Sequence, residues 1–483
     1  MTVALPVLVL AVVLAVTGWS WRPVDVVVLA WWAGLVAARP RGRAAWLGAA
    51  AVAAVAAVTS APRIHLHANK AFSTLQAARR LAQPDVRYGD GWSGWVGMPV
   101  HLLGDPVDGV HLVHVGAVVL TGGLLADLGA RLHGPRAGWL AAALWGSLPV
   151  VVALGSTESR FVVVSLLQVA AVAGLARQDG RGDLLAVASI GLLGHVRPLQ
   201  VPVAALLVVG AWSVGRRRAA LAGAVLVAWR AVALGAWLAG GGDRGGTQLE
   251  ALGRSHVWGG AAGVDGTAVI LDPTRTPVTV ALLGLAGVAL AWRAGRLGRL
   301  TLALGVAGVV LYLPQPFVPD RLRMQLPAQA WLALLAAPVL ARAAGEGLPR
   351  GLAVLAVVAL GWLPTRVYPP WAWQASYAVA RRVTARLPPD AVVRYTATWD
   401  DGNGAFGTWA ARRSGARWVP READPPTGAL VWVDVVDHVH GPPDLRGLDP
   451  VDVAPVPADV AGLHPLASEV VVGLYRVRGG ATP

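Results

Sequence analysis

The sequence contains no cysteine, and Lys70 is the only lysine among its 41 basic residues. Without cysteine the chain can form no disulfide, use no thiol nucleophile and bind no metal through thiolates. Charged residues make up only 14% of the chain, whereas soluble globular proteins have about 25%. Because 55% of the residues are also hydrophobic, the composition predicts a membrane protein.

Thirteen apolar stretches run between residues 3 and 364, and their lengths of roughly 15 to 20 residues suit a bilayer core of about 30 Å. Alternate gaps between them carry 15 arginines against two acids, at 39–43, 131–136, 177–182, 216–218, 293–299 and 342–350. The short intervening gaps carry one arginine each, Arg22, Arg160 and Arg197. By the positive-inside rule the arginine-rich side is cytoplasmic. The pattern predicts a polytopic α-helical membrane protein of about 13 transmembrane helices, with its N-terminus inside.

The net charge of +14 follows from this topology, because residues 364–483 hold 12 arginines and 12 acids. We therefore expect membrane lipids, and no nucleic acid, among the partners. The abundance of Ala, Gly, Val and Arg over Lys is typical of a GC-rich bacterial genome. The expected location is the bacterial cytoplasmic (inner) membrane.

The chain divides into a transmembrane domain at 1–363, with outer loops at 61–108, 240–276 and 314–327, and an extracytoplasmic domain at 364–483. In the first loop, "KAFSTLQAARRLA" has apolar residues at three-residue steps and predicts a helix on the outer membrane surface. The "PDVRYGDGWSGWVGMPVHLLGDP" that follows predicts an ordered, turn-rich segment. In the tail, "AVVRYT", "RWVP", "ALVWVDVV" and "EVVVGLYRVR" predict strands of a small α/β domain.

Four features together resemble the membrane-integral C-type glycosyltransferases, which include protein O-mannosyltransferases and the aminoarabinose transferase. They are a helix-bearing first outer loop ending "YGDGW...LLGDP", the segment "GARLHGPRAGWLAAALWGSLPVVVALGSTESRFVVVSLLQ", the segment "DRLRMQLPAQAWLALLAAPVLA", and an outer α/β tail. The resemblance implies inverting transfer of a sugar from a polyprenyl-phosphate carrier to an envelope glycan, lipid or protein on the outer face. It also implies a carboxylate base and arginines or lysines that hold the lipid phosphate.

The candidate catalytic bases are Glu158, Asp90, His65 and His67. Glu158 in "GSTESRF" lies at the outer mouth between two spans, but it could also complement the dipole of the following helix. The family's first-loop acidic motif would fall at "RIHLHANK", where this chain has His65 and His67. These histidines could act as a base or be interfacial polar residues. Asp90 in "YGDGW" could act on substrate or belong to a turn.

The candidate binding residues for the carrier phosphate are Arg197, Arg321, Arg323 and Lys70. The three arginines lie at outer boundaries, where the positive-inside rule disfavours cations, and guanidinium groups suit phosphate oxygens. The alternative is pairing with acids or lipid headgroups. Lys70 could meet a phosphate or extend to the membrane interface.

No cofactor is predicted. A divalent metal is possible, but the spacing of potential ligands does not support one, since His65 and His67 lack a third ligand nearby. Two other classes of function compete with transfer. One is a non-catalytic membrane relative that acts as a scaffold. The other is a transporter of lipid-linked sugars, which should show inverted repeats and charged residues at mid-membrane.

Overall fold

The computed structural model describes residues 4–38, 43–59, 90–103, 106–157, 159–177, 179–240, 276–310, 324–345, 372–396, 405–421, 425–434, 437, 444–457 and 469–478. Their contacts divide into two units, one formed by the chain up to residue 345 and one from residue 372. The first unit is helical, and the second contains a five-stranded sheet.

The helices of the first unit are α1 (Ala4–Val16), α2 (Val24–Ala37), α3 (Arg43–Thr59), α4 (Gly91–Leu103), α5 (Pro106–His133), α6 (Pro135–Ser147), α7 (Pro149–Leu154), α8 (Arg160–Leu175), α9 (Gly180–Val196), α10 (Val201–Ser213), α11 (Arg217–Ala239), α12 (Val278–Arg293), α13 (Gly295–Val310) and α14 (Leu326–Ala344). Three stretches are long and apolar enough to cross a membrane, Asp108–His133, Arg217–Trp237 and Leu326–Ala344. Six further described apolar helices are 10–17 residues long. The number of spans and their orientation remain predictions.

Helix α8 lies at the centre of the first unit, and every residue from Phe161 to Leu175 is buried. It carries a buried polar side chain, Gln168, whose Nε2 donates to Oε1 of Gln200 at 2.8 Å. The Oε1 of Gln168 accepts from Nε1 of Trp331 at 2.9 Å. These hydrogen bonds tie α8 to α14 and to the turn before α10, because a buried amide must find partners where water is absent.

Small residues let the helices approach closely. A Cβ added to Gly138 of α6 would lie 2.3 Å from the carbonyl oxygen of Ala126 in α5. The two helices are joined at Gly134, whose φ of 95° favours glycine. In α8, a Cβ on Gly174 would lie 2.6 Å from the carbonyl oxygen of Gly182 in α9. Packing through glycine backbones is typical of membrane helices.

The segment from Gly91 to Leu103 is a helix, so the prediction of a turn-rich segment there was wrong. Three glycines and Pro99 lower its intrinsic helix propensity. Burial outweighs that deficit, since Trp92, Trp95 and Met98 are each no more than 1% exposed. The predicted outer loop 61–108 therefore ends in a buried helix that packs against α2, α5 and α9.

In the part of the chain that the structure describes, residues from five of the arginine-rich gaps lie at one end of the first unit, here called the arginine-rich end. Nη1 of Arg136 donates to the carbonyl of Gly345 at 2.9 Å, and Nη1 of Arg296 donates to the carbonyl of Ser213 at 2.7 Å. Nη2 of Arg216 donates to the carbonyl of Asp179 at 2.7 Å. The carbonyls of Gly345 and Ser213 lie at helix C-termini, where they have no partner within the helix.

The second unit is an α/β domain with helices α15 (Ala372–Thr384) and α16 (Ala405–Ser414) and strands β1 (Val392–Tyr395), β2 (Arg417–Pro420), β3 (Leu430–Val433), β4 (Leu448–Pro457) and β5 (Glu469–Val477). The strand order is β2-β1-β3-β5-β4. Strand β1 pairs in parallel with β2 and β3, and β5 pairs antiparallel with β3 and β4. Aromatic side chains pack between α16 and the sheet, with the rings of Phe406 and Trp418 5.6 Å apart.

Strand β4 is an element that the sequence did not predict. Its "LDPVDVAPVP" contains three prolines, which argue against a central strand because proline cannot donate to a ladder. The fold places β4 at the edge of the sheet, where one side needs no partner. A register shift between Pro450 and Asp452 accommodates the irregularity.

Candidate functional site

Asp90 immediately precedes α4 and forms an ion pair with Arg22, whose Nη1 lies 2.5 Å from its Oδ1. The two side chains are 22% and 13% exposed, respectively. Hydrogen bonds to Asp25 fix the turn that carries Arg22. The backbone N–H of Arg22 donates to Oδ2 of Asp25 at 2.9 Å, and Nε1 of Trp19 donates to the same oxygen at 3.2 Å. Asp90 is therefore positioned by a buried network and is more than an exposed turn residue.

Gly91 brings Asp90 next to the turn between α9 and α10. A Cβ on Gly91 would lie 2.8 Å from Cβ of His195 and 2.9 Å from its carbonyl carbon. Two residues further on, Arg197 ends α9, and its guanidinium lies over the ring of Phe161 at 5.0 Å from the centroid. Asp90 and Arg197, both sequence candidates, thus lie at the same end of the helical unit.

Thr157 and Arg160 join the same end through His114 and Trp92. The guanidinium of Arg160 lies 5.1 Å from the centre of the Trp92 ring. Nε1 of Trp92 donates to Nε2 of His114 at 3.2 Å, so the proton of His114 is on Nδ1 and is donated to the carbonyl of Thr157. His114 is fully buried and acts as a structural link. We call the region formed by the described residues 19–23, 90–92, 155–157, 159–160 and 195–200 the Asp90 end.

Arg230 is a residue of this region that sequence reasoning missed. It is 2% exposed, and its Nε donates to the carbonyl of Gly194 at 2.9 Å. It lies 13 residues after Arg217, the start of α11, which is about 20 Å at 1.5 Å per residue. The sequence did contain a signal for Arg230, because it is a single arginine inside an apolar stretch. A charged residue within a membrane helix usually has a function or a partner.

The other sequence candidates lie outside the described residues: His65, His67, Lys70, Glu158, Arg321 and Arg323. The predicted surface helix in the first outer loop also lies outside them. Among the described residues no group of three His, Asp or Glu side chains could hold a metal. A shallow, mostly apolar cleft is lined by residues that include Val52, Val118, Val151 and Ser156, and by neither Asp90 nor Arg197.

Solved structures share this architecture. Apo ArnT from Cupriavidus metallidurans has a TM-score of 0.52 at 14% identity, covering 90% of this chain and 99% of ArnT. The same protein bound to undecaprenyl phosphate has a TM-score of 0.51 at 15% identity, covering 91% of this chain and 100% of ArnT. This chain has the fold of the C-type membrane glycosyltransferases. The resemblance inferred from the sequence is confirmed at the level of the fold.

Among C-type structures, the archaeal oligosaccharyltransferase AglB from Archaeoglobus fulgidus, in complex with an inhibitory peptide and a dolichol-phosphate, has a TM-score of 0.46 at 11% identity. The match covers 78% of this chain, which spans 64% of the length of AglB. No protein-family model and no curated protein sequence matches this chain. The likeness to ArnT shows the C-type fold of this protein at 14–15% sequence identity.

Proposed function

We propose that this protein is a glycosyltransferase of the bacterial cytoplasmic membrane. It transfers a hexose or pentose from a polyprenyl-phosphate carrier to an envelope glycan, lipid or protein on the outer face. The observation that carries the proposal is the ion pair of Asp90 with Arg22, at the same end of a C-type fold as the turn that carries Arg197. ArnT, which shares the fold, has been crystallised with undecaprenyl phosphate.

In this reaction a hydroxyl oxygen of the acceptor attacks the anomeric carbon of the donor sugar. The bond from that carbon to the phosphate oxygen breaks, and the lipid phosphate leaves with the electron pair. The hydroxyl proton passes to a base within hydrogen-bond reach. Asp90 is the described candidate for that base, and Glu158, His65 and His67 are the other candidates.

The leaving phosphate gains negative charge, so cations beside it lower the barrier. Arg197 provides such a cation at the Asp90 end, and its contact with Phe161 orients the guanidinium plane. Lys70, Arg321 and Arg323 complete the proposed set for the carrier phosphate. The bidentate geometry of arginine suits phosphate oxygens, which explains why arginine would occur on the side where the positive-inside rule disfavours it.

The full-length protein in proteoliposomes tests this proposal. Undecaprenyl-phosphate-linked hexoses and pentoses would be supplied with envelope acceptors, and release of undecaprenyl phosphate would be followed by mass spectrometry. We expect turnover in the wild type and a loss of about 100-fold or more in the Asp90→Asn variant, as for removal of a general base. Arg136→Gln at the arginine-rich end is the matched control and should retain activity. Turnover in Asp90→Asn equal to the wild type would reject Asp90 as the base.

The proposed orientation places the domain at 364–483 outside the cytoplasm and the arginine-rich end inside. Because the chain has no cysteine, single cysteines can be introduced without background. Arg446, whose side chain is 91% exposed, and Arg218, at the arginine-rich end, are suitable sites. In intact cells a membrane-impermeant maleimide should label Arg446→Cys and should label Arg218→Cys only after permeabilisation. The reverse pattern would overturn the orientation.

A non-catalytic relative is the second candidate function, and the Arg22–Asp90 ion pair favours it. A carboxylate that serves only to fasten two segments would make the same 2.5 Å contact. This alternative predicts that Asp90→Asn changes stability and has no turnover to change. No release of undecaprenyl phosphate by the wild type with any donor, in a protein that is correctly folded, would favour it over the transferase.

A further inference from the structure

His195, in the last turn of α9, has a buried ring nitrogen, Nε2. The residue is 7% exposed, and among the described residues no group forms a hydrogen bond with its Nε2. The imidazole ring packs against the indole of Trp229 with centroids 4.6 Å apart. A buried polar atom without a partner is unfavourable, so a native structure retains it where a ligand or another group completes it.

The position of the ring is fixed from several sides. The backbone of His195 packs against Gly91, where an added Cβ would be 2.8 Å from its Cβ. The preceding carbonyl, that of Gly194, accepts from Arg230 at 2.9 Å. The backbone N–H of Arg197 donates to the carbonyl of Leu193 at 3.1 Å. His195 therefore presents Nε2 from an ordered turn that lies beside Asp90.

The charge around the ring favours an anion. Arg230 is almost fully buried next to the residue before His195, and Arg197 follows it by two residues. The carboxylate of Asp90 forms an ion pair with Arg22. Two guanidinium groups disfavour a metal cation at the imidazole and lower the free energy of a bound anion.

We propose that Nε2 of His195 donates a hydrogen bond to the phosphate of the lipid carrier, with Arg230 as the buried cation that holds the His195 turn and offsets the phosphate charge. This assignment rests on the proposed transferase function and deepens it. The imidazole is neutral with its proton on Nε2, it stays so through the reaction, and no covalent step involves it. His195 thus positions the donor and does not serve as the base.

Binding of undecaprenyl phosphate to the full-length protein in detergent tests the inference. In His195→Phe the aromatic packing on Trp229 is kept and the donor is removed, whereas His195→Gln supplies an amide N–H near the same position. We expect Kd for undecaprenyl phosphate to rise about tenfold in the Phe variant and to return towards the wild-type value in the Gln variant. Binding of undecaprenol, which lacks the phosphate, should be the same in all three. His133→Phe is the matched control, because His133 lies in the last turn of α5, beside Arg342 at the arginine-rich end.

Each outcome separates this inference from the proposed function. Unchanged Kd in His195→Phe, with wild-type transfer, overturns the role of His195 and leaves the transferase standing. The protein could instead bind inorganic phosphate in a His195-dependent way and not bind undecaprenyl phosphate. That result would support a phosphate site at His195 and would reject the lipid carrier as its ligand. Binding of neither probe overturns both. If the Phe variant is less stable than the wild type, the rise in Tm caused by undecaprenyl phosphate is measured in place of Kd. A variant that lacks the phosphate contact should show a smaller rise than the wild type at equal ligand concentration.

Discussion

The ion pair between Arg22 and Asp90 joins segments 68 residues apart, and a double-mutant cycle can measure what it contributes. The variants are Arg22→Gln, Asp90→Asn and the double variant. An exposed ion pair contributes about 0–1 kcal/mol, whereas removing one partner of a fully buried pair costs about 3–5 kcal/mol. With side chains 13% and 22% exposed, we expect each single variant to lie between these limits.

The expected loss of folding free energy is therefore roughly 1–3 kcal/mol for each single variant. The double variant should lose less than the sum of the two, with a coupling of about 1–2 kcal/mol, because neither change then leaves an unpaired charge. Unfolding of the detergent-solubilised protein, followed by steric trapping or thermal denaturation, provides the free energies. Additive single effects, with coupling near zero, would refute the reasoning that this pair is shielded from solvent.

Turnover in the same three variants distinguishes a catalytic role of Asp90 from a structural one. If Asp90 is the base, Asp90→Asn and the double variant both lose activity by about 100-fold or more. The Arg22→Gln variant keeps the carboxylate of Asp90 and loses only the contact that orients it. Its turnover should therefore fall by a smaller factor. If Asp90 is structural, the activities of the three variants should instead follow their stabilities.

Three further predictions concern packing. Gly287→Ala places a Cβ 1.9 Å from a carbonyl oxygen of α14 and should destabilise the helical unit by about 1–3 kcal/mol. The control is Gly235→Ala, whose added Cβ has nothing within 4 Å and should leave thermal unfolding nearly unchanged. Ser376→Ala removes a buried hydrogen bond to Asp434 and should destabilise the α/β domain by about 1–3 kcal/mol, seen as faster proteolysis of the tail in the full-length protein. Gly91→Ala should separate α4 from the turn before α10 and lower transfer more than stability, so equal losses of both would contradict it.

Much of the architecture followed from local patterns in the sequence. The alternation of apolar stretches with arginine-rich gaps predicts a helical membrane protein. Bilayer thickness determines the length of each apolar stretch, and the positive-inside rule explains why alternate gaps are rich in arginine. The strands at Val392–Tyr395 and Leu430–Val433 followed from short apolar runs between turn signals. These properties depend on residues that are neighbours in sequence.

Long-range contacts decided the rest. The helix at Gly91–Leu103 forms because burial of two tryptophans outweighs its glycines and proline, and strand β4 forms because the sheet has an edge that tolerates proline. The candidate site depends on the same kind of contact. No local pattern shows that Asp90 meets Arg22, that Gly91 packs on His195, or that Nε2 of His195 is buried without a hydrogen-bond partner among the described residues. Those facts arise only when helices distant in sequence pack together, because pairing and burial are properties of the assembled fold.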